Sequence, residues 1–583
     1  MMPRTEKASS APAPWGIIPP SVQPFLRELP IILAVVATFY GLLSFTRYGV
    51  GPVNTQAEIP LDPGVLPKYA AFSLIRIVLA YFLSLIFTFI YGYIAAYNEK
   101  AERFMIPLLD TLQSIPVLSF LPAVMVSMVA LFPTRQLGLE LGCIVLIVTG
   151  QVWNMTFSFY SSLKTIPNEM RDAAKVYRLS WWQRFTQMEL PYAGIGLIWN
   201  SMMSVAGAWF FLMACEMFVL GNRDLRLPGL GSYLQTAANA GDTRAILWGL
   251  AAMVTVIALV DQIIWRPAIA WAEKFKFEQV EAAVTPRSPV LDLLRRSKVI
   301  SLAARVSVRP LREALSLSFA RTGASPSRRY LGRKLGKWLL WMLLAGGLLG
   351  VAYAVVKMIG MLVALSRPEI REILVGAGVT FLRVEATLLL GASWTIPVGL
   401  YIGLRPKLSA FAQPLAQIAA SIPATALFPI VLLLLLRLGG GLGIASIVLL
   451  LLGTQWYILF NVIAGASAIP TDLKEVCGVF RLGNLERWRK LLLPGIFPYL
   501  ITGLITASGG AWNASIVAEY FHFRGRTYSV VGLGAVISQA TDSGDFRLLL
   551  AATLSLAAMV VAINRLVWRR LYNLASTRFK LES

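Results

Sequence analysis

Along the chain, apolar stretches about as long as a bilayer is thick alternate with short polar punctuation. Runs such as Pro30–Phe45, Phe72–Tyr97, Leu339–Leu365 and Leu548–Trp568 approach or exceed the roughly 20 residues that a helix needs to cross the hydrocarbon core. About six such spans fit in each half, with a tally open by one or two where a span is short or tilted. The pattern predicts an all-α, polytopic membrane protein.

Two polar segments break this pattern. In Glu169–Pro191, "EMRDAAKVYRLSWWQRFTQMELP", Met170, Ala173, Ala174 and Tyr177 fall at i, i+3, i+4 and i+7, one face of a helix. Glu169, Arg171, Asp172, Lys175 and Arg178 cover the rest. Asp472–Pro494, "DLKEVCGVFRLGNLERWRKLLLP", keeps that face as Leu473, Val476, Cys477 and Phe480. Pro167-Asn168 and Pro470-Thr471 supply start signals, Asn or Thr being able to cap the first turn. A short amphipathic piece follows, Trp181–Phe185 or Asn484–Trp488, before the Leu-Pro that opens the next span.

These segments belong to a duplication. Arg76–Pro122 matches Arg383–Pro429 without a gap, bringing together the two Ser-Ile-Pro triplets, Ser114–Pro116 and Ser421–Pro423. Beyond a short loss near Pro133, Trp153 meets Trp456, Leu190-Pro191 meets Leu493-Pro494, Glu216 meets Glu519, and Gly229-Leu-Gly231 meets Gly532-Leu-Gly534. The reading divides the chain into a polar lead (1–28), a first membrane domain (29–272), a basic linker (273–337) and a second membrane domain (338–583). Both domains begin and end on the same side, so they are parallel repeats about an axis along the membrane normal.

Composition sharpens this picture. The 583 residues are 57% hydrophobic and 14% charged, against roughly 25% charged in soluble domains. The net charge of +23 suggests nucleic acid until its distribution is read. Lys and Arg gather in the linker, the two polar segments and the tail Arg565–Lys580, which is the positive-inside pattern and places those parts in the cytoplasm. The charge orients the protein in its membrane lipids and argues against a nucleic-acid partner. The lead, with no apolar run before Pro30, is expected to be a flexible cytoplasmic segment rather than a cleaved signal. Cys143, Cys215 and Cys477 lack metal or redox spacing and read as small packing residues; no metal site is expected.

A membrane-surface helix is one reading of each polar segment. However, the apolar stripe is narrow, and Glu169, Asp172, Asp472 and Glu475 would be repelled by anionic lipid. Two like helices on one cytoplasmic face suit a two-fold partner. The segments resemble the EAA loop of binding-protein-dependent ABC importer permeases, Glu-Ala-Ala, three residues, Gly, nine residues, then Ile-x-Leu-Pro. Asp172-Ala173-Ala174 and Glu475-Val476-Cys477 fill its first part, Leu190-Pro191 and Leu493-Pro494 its last. The stretch "LLDTLQSIPVLSFLP", Leu108–Pro122, resembles the nitrate/sulfonate/taurine branch.

This resemblance implies a type I permease fold, fused in duplicate, in the bacterial inner membrane. It implies that each loop is a coupling helix seated in a separate ATP-binding subunit, two per chain, with ATP and magnesium held there and no cofactor in this chain. It further implies a periplasmic or lipid-anchored binding protein and a small-molecule cargo, an anion by the branch. In both copies the family glycine is replaced, by Arg178 and Arg481. A residue with a Cβ is disfavoured by roughly 1–2 kcal/mol in the left-handed conformation. The helix is therefore expected to run past Arg178 and turn near Ser180, or near Gly483 in the second copy. "RLGGGLG", Arg437–Gly443, lacks the Lys-Ser/Thr of a phosphate loop, so no ATPase activity is expected of the chain itself.

Ionisable residues in spans are functional candidates. Glu216 and Glu519, 25 residues beyond their Leu-Pro, fall near the outer end of a span, as gate or binding-protein contacts or as solvated helix ends. Trp209, Trp512, Asn200 and Asn513 lie deeper on the same spans and either line the route or pack between helices. Asp242 and Asp545 read as N-caps. Arg76 and Arg383 either guide anions or anchor an interface; the lone histidine, His522, receives no role. Two rivals remain: a secondary transporter, which would carry ion-coupling carboxylates at mid-membrane, and a membrane-embedded lipid-modifying enzyme, which would cluster His, Asp or Glu at a membrane face.

Overall fold

The computed structural model describes residues 23–51, 58–220, 223–272, 289–297, 355–439, 441–523 and 526–578, with scattered positions between 305 and 353. The first half comprises α1 (Gln23–Val50), α2 (Leu66–Tyr97), α3 (Glu99–Ser114), α4 (Leu121–Leu131), α5 (Leu137–Lys164), α6 (Asn168–Val176), α7 (Trp181–Arg184) and α8 (Leu190–Glu216). The hairpin β1 (Val219–Leu220) and β2 (Arg223–Asp224) follows, then α9 (Leu230–Ala240), α10 (Thr243–Val260) and α11 (Arg266–Ala272). After α12 (Pro289–Arg296) in the linker, the second half repeats the order. It has α13 (Arg367–Gly403), α14 (Pro406–Ser421), α15 (Ala424–Arg437), α16 (Leu442–Ala468), α17 (Thr471–Val479), α18 (Asn484–Arg487) and α19 (Leu493–Ala518). It closes with the hairpin β3 (Tyr520–Phe523) and β4 (Arg526–Ser529), α20 (Leu533–Ser543), α21 (Phe546–Ile563) and α22 (Arg569–Arg578). Helix α1 begins inside the stretch read as a polar lead, whose residues 1–22 lie outside the described ones.

Among the described residues eight helices are long and apolar enough to cross a membrane, or ten if two sharply bent pairs each count as one span. That is five per half. Pro30–Phe45, expected as a further span of the first half, lies within the helix α1; its counterpart Leu339–Leu365 falls partly outside the described residues.

Local chemistry fixes the breaks. Each bent pair turns at its Ser-Ile-Pro, by 84° between α3 and α4 and by 82° between α14 and α15. A residue before proline is driven from helical to extended backbone, as Ile115 (ψ 129°) and Ile422 (ψ 117°) are. Asp242 and Asp545 cap the starts of α10 and α21, each accepting two backbone N–H bonds. π-helical turns recur at matching places, Phe185–Glu189 with Trp488–Leu492 and Asp261–Trp265 with Asn564–Trp568.

In each half one helix forms the hub: α5 packs on both α2 and α8, and α16 on both α13 and α19. The halves meet where α14 and α15 lie against α8, and where α19 meets the short 3₁₀ turn Val117–Phe120 between α3 and α4. Elements of both repeats therefore form the interface between the halves.

Candidate functional site

The coupling segments fold as short helices closed by one turn type. Helix α6 ends at Val176; Leu179 N–H then donates to the Ala174 carbonyl and Arg178 N–H to the Lys175 carbonyl, both at 3.0 Å. This six-to-one, five-to-two pairing is the Schellman closure, which requires a left-handed residue at its corner. Arg178 occupies that corner with φ 49° and Arg481 with φ 48°, and Leu482 N–H donates to the Cys477 carbonyl at 3.1 Å. The expectation that the helices run past these arginines is thus overturned. The hydrogen bonds of the closure offset the Cβ penalty, and both arginine side chains lie in solvent, where nothing crowds them. Ser180 is instead the N-cap of α7, in a capping box with Gln183. Asn168 is the first residue of α6 rather than its cap; that position is Pro167.

The turn decides what each helix presents. Ala174 is buried in one cluster with Leu163 of α5 and Ile166 just beyond it, and Arg171 donates to the Leu163 carbonyl at 2.7 Å. Its small side chain lets the helix lie close. Tyr177 does not continue the buried face, because the helix ends before it: Val176 and Tyr177 are 79% and 78% exposed, Val479 and Phe480 80% and 73%. Ala173 and Glu169 are exposed, as are Asp172, which pairs with Lys175 at 2.9 Å, and Glu475. Cys477 is half-buried, and the side chains of Asp472 and Val476 lie outside the described ones. Leu190-Pro191 and Leu493-Pro494 open α8 and α19 directly after the π-helical turns.

Two cavities lie between the halves. The inner one, on the coupling-helix side, has a volume of about 490 Å³ and is lined by Trp153, Asn154, Asn200, Trp456, Asn461, Trp512 and Asn513, among others. Asp110 is the one charged side chain lining it among the described residues. The outer one, about 540 Å³, is lined by Leu118, Leu121, Phe218, Arg226, Ile516, Phe521 and Asp542. Asn200, Asn513 and Trp512 line the inner cavity; Trp209 is buried and takes no part in either lining. Between the cavities stands the Ser-Ile-Pro elbow, Val117 facing inward and Leu118 outward. The sequence does not place the first elbow between the cavities, although the recurrence of Ser-Ile-Pro is the available signal.

Glu216 and Glu519 are not solvated helix ends. Both are fully buried. Glu216 accepts from Arg76 (2.7 Å), Ser73 (2.7 Å) and Gly231 N–H (2.7 Å), and Arg76 also holds Glu140 through two bonds of 2.7 and 2.6 Å. In the second half Arg383, Thr380 and Gly534 N–H hold Glu519 in the same way. Arg76 and Arg383 are thus neither anion guides nor interface anchors, but ties between α2 and α8 and between α13 and α19. A Cβ on Gly229 or Gly532 would fall on the carboxylate, which is the reason for Gly-Leu-Gly in both halves. The charge is unequal: the position of Glu140 is Gly443 in the repeat.

At the outer face His522 bonds Asp542 (3.1 Å) and Thr527 (3.0 Å), and Tyr520 donates to Asp542 (2.6 Å). Burial, with the Asp542 carboxylate, pushes the Tyr520 phenol well above its ordinary value.

Comparison with known proteins decides the identity. The family described as the binding-protein-dependent transport system inner membrane component matches twice, over residues 89–264 and 395–579. The chain belongs to that family. The bicarbonate transport system permease protein CmpB of Synechococcus elongatus is 30% identical over 172 residues, 30% of this chain and 59% of that protein. The nitrate import permease protein NrtB of Leptolyngbya laminosa is 29% identical over 185 residues, 32% of this chain and 63% of that protein. The putative aliphatic sulfonates transport permease protein SsuC of Bacillus subtilis is 24% identical over 216 residues, 35% of this chain and 76% of that protein. The chain thus spans 59% and 63% of the first two. The double match makes this member of the family a fusion of two permease domains, with the type I permease fold, multi-pass in the bacterial inner membrane.

Proposed function

We propose that this chain is the transmembrane permease subunit of an ATP-driven importer of a small oxyanion, working with two cytoplasmic ATP-binding subunits and a periplasmic or lipid-anchored binding protein. The observation that carries the reading is the pair of coupling helices. One chain presents two copies of the same Schellman-closed helix, each ending in an exposed apolar-aromatic tip, Val176-Tyr177 and Val479-Phe480. Such tips on a charged cytoplasmic face need a covering partner, and two equal partners cover two equal tips. ATP and magnesium belong to those partners. Their closure moves the halves against each other and exposes the inner and outer cavities in turn.

The oxyanion reading draws support from the relatives named for bicarbonate, nitrate and sulfonates. The inner cavity offers amides and indoles, with no Lys, Arg or His among its described lining residues. Neutral donors hold an anion weakly, which suits passage, and leave selection to the binding protein. The test is uptake of labelled bicarbonate, nitrate or an alkanesulfonate into vesicles holding the full complex. Uptake should need ATP and binding protein and should ignore ionophores. Uptake that collapses with an ionophore would make the chain a secondary transporter, and turnover of lipid by the chain alone would make it an enzyme.

A further inference from the structure

The barrier between the two cavities is polar on one side and apolar on the other. The break at Ile115-Pro116 frees backbone groups at the first-half elbow, and side chains of the second half take two of them. Leu118 N–H donates to Asn513 Oδ1 at 3.3 Å, and Thr553 Oγ1 donates to the Ser119 carbonyl at 3.3 Å. Asn513 is itself oriented, because its Nδ2 donates to the Gly509 carbonyl one turn earlier at 3.1 Å. A carbonyl can only accept, so this bond fixes which amide atom faces the elbow.

The reciprocal contacts are missing from the sequence. At the positions equivalent to Asn513 and Thr553 the first half has Phe210 and Leu250, and the second elbow has Thr425 and Ala426 where the first has Leu118 and Ser119. Phe210 and Leu250 have no side-chain hydrogen-bonding group. Thr425 is buried with no partner for its hydroxyl, while α14 and α15 rest on α8. Two identical chains could not divide the work this way. A fused pair can.

We propose that Asn513, with Thr553, is a latch: it acts through the Leu118–Ser119 elbow, holds the barrier shut from the second half, and is broken when the pathway opens, while the second elbow packs apolar in both states. Asn513 is thus a positioning residue for gating. The proposal rests on the reading of the two cavities as one pathway.

The test uses the full chain in right-side-out membrane vesicles with its native partners and a membrane-impermeant maleimide added outside. One probe is Thr506→Cys in the inner cavity, the other Ser538→Cys in the outer cavity. Asn513→Leu keeps the bulk and removes the acceptor. It should raise labelling of the Thr506→Cys probe about tenfold, the shift expected for one lost hydrogen bond, and leave the Ser538→Cys probe unchanged. A Leu250→Val control, at the first-half position equivalent to Thr553 and outside both cavity linings, should move neither. If Asn513→Leu leaves the inner probe as slow as before, or speeds both probes together as general loosening would, the latch is wrong. If the inner probe reacts as fast as the outer one before any latch change, the single-pathway reading itself fails.

Discussion

At the scale of single residues, the two arginines at the coupling turns carry an avoidable cost. Both sit at φ near 50°, where glycine has no Cβ to place. Arg178→Gly should therefore be tolerated, raising the stability of the turn by up to about 1 kcal/mol, whereas a β-branched Arg178→Val should lower it by about 1–2 kcal/mol. Hydrogen exchange of the Leu179 amide reads either change locally. The buried clamps give a second comparison. Removing one partner of a buried ion pair costs about 3–5 kcal/mol. Glu519→Ala strips Arg383 of its carboxylate, but Glu216→Ala leaves Arg76 still bound twice by Glu140. Thermal unfolding in detergent should thus fall further for Glu519→Ala than for Glu216→Ala; an equal fall would show that Glu140 does not compensate.

At the scale of elements, the coupling helices predict a division of labour along a few residues. Ala174 seats α6 on the core, while Val176 and Tyr177 project. Tyr177→Ala combined with Phe480→Ala should preserve expression and melting behaviour but reduce ATP-driven uptake severely. Ala174→Leu should instead disturb how the helix lies, lowering thermal stability by about 1–3 kcal/mol through overpacking. These helices were legible in the sequence because charge interrupts oil at the same register twice. Their closing turn was not: the local penalty against a left-handed arginine was weighed without the hydrogen bonds that the turn returns. The burial of Glu216 and Glu519 is hidden from the sequence for a related reason. Counting residues along a helix gives height in the membrane but not the direction a side chain faces, and Arg76 lies 140 positions before its partner. The joint recurrence of Arg, Glu and Gly-Leu-Gly in both halves was the clue that they meet. The Ser-Ile-Pro repeat is plain in the sequence, yet the place of the first elbow between the two cavities depends on packing between halves, which periodicity does not encode.

At the scale of the whole molecule, duplication followed by fusion explains both the symmetry and its failures. The left-handed turns that close α6 and α17, and the buried Arg–Glu ties of each half, are kept in both halves. Asn513, which faces the other half of the same chain, has diverged from Phe210, and the clamp keeps its Arg–Glu core but differs in charge, with Gly443 where the first half has Glu140. The central claim is that one chain engages two ATP-binding subunits through α6 and α17. The most direct measurement is the native mass of the complex purified gently from its host, beside a variant carrying Asp172→Lys and Glu475→Lys. Two ATP-binding subunits for each chain, lost from the variant while the chain stays folded, is the predicted result. A chain that purifies with no ATP-binding subunit, or a variant that keeps both, would contradict it.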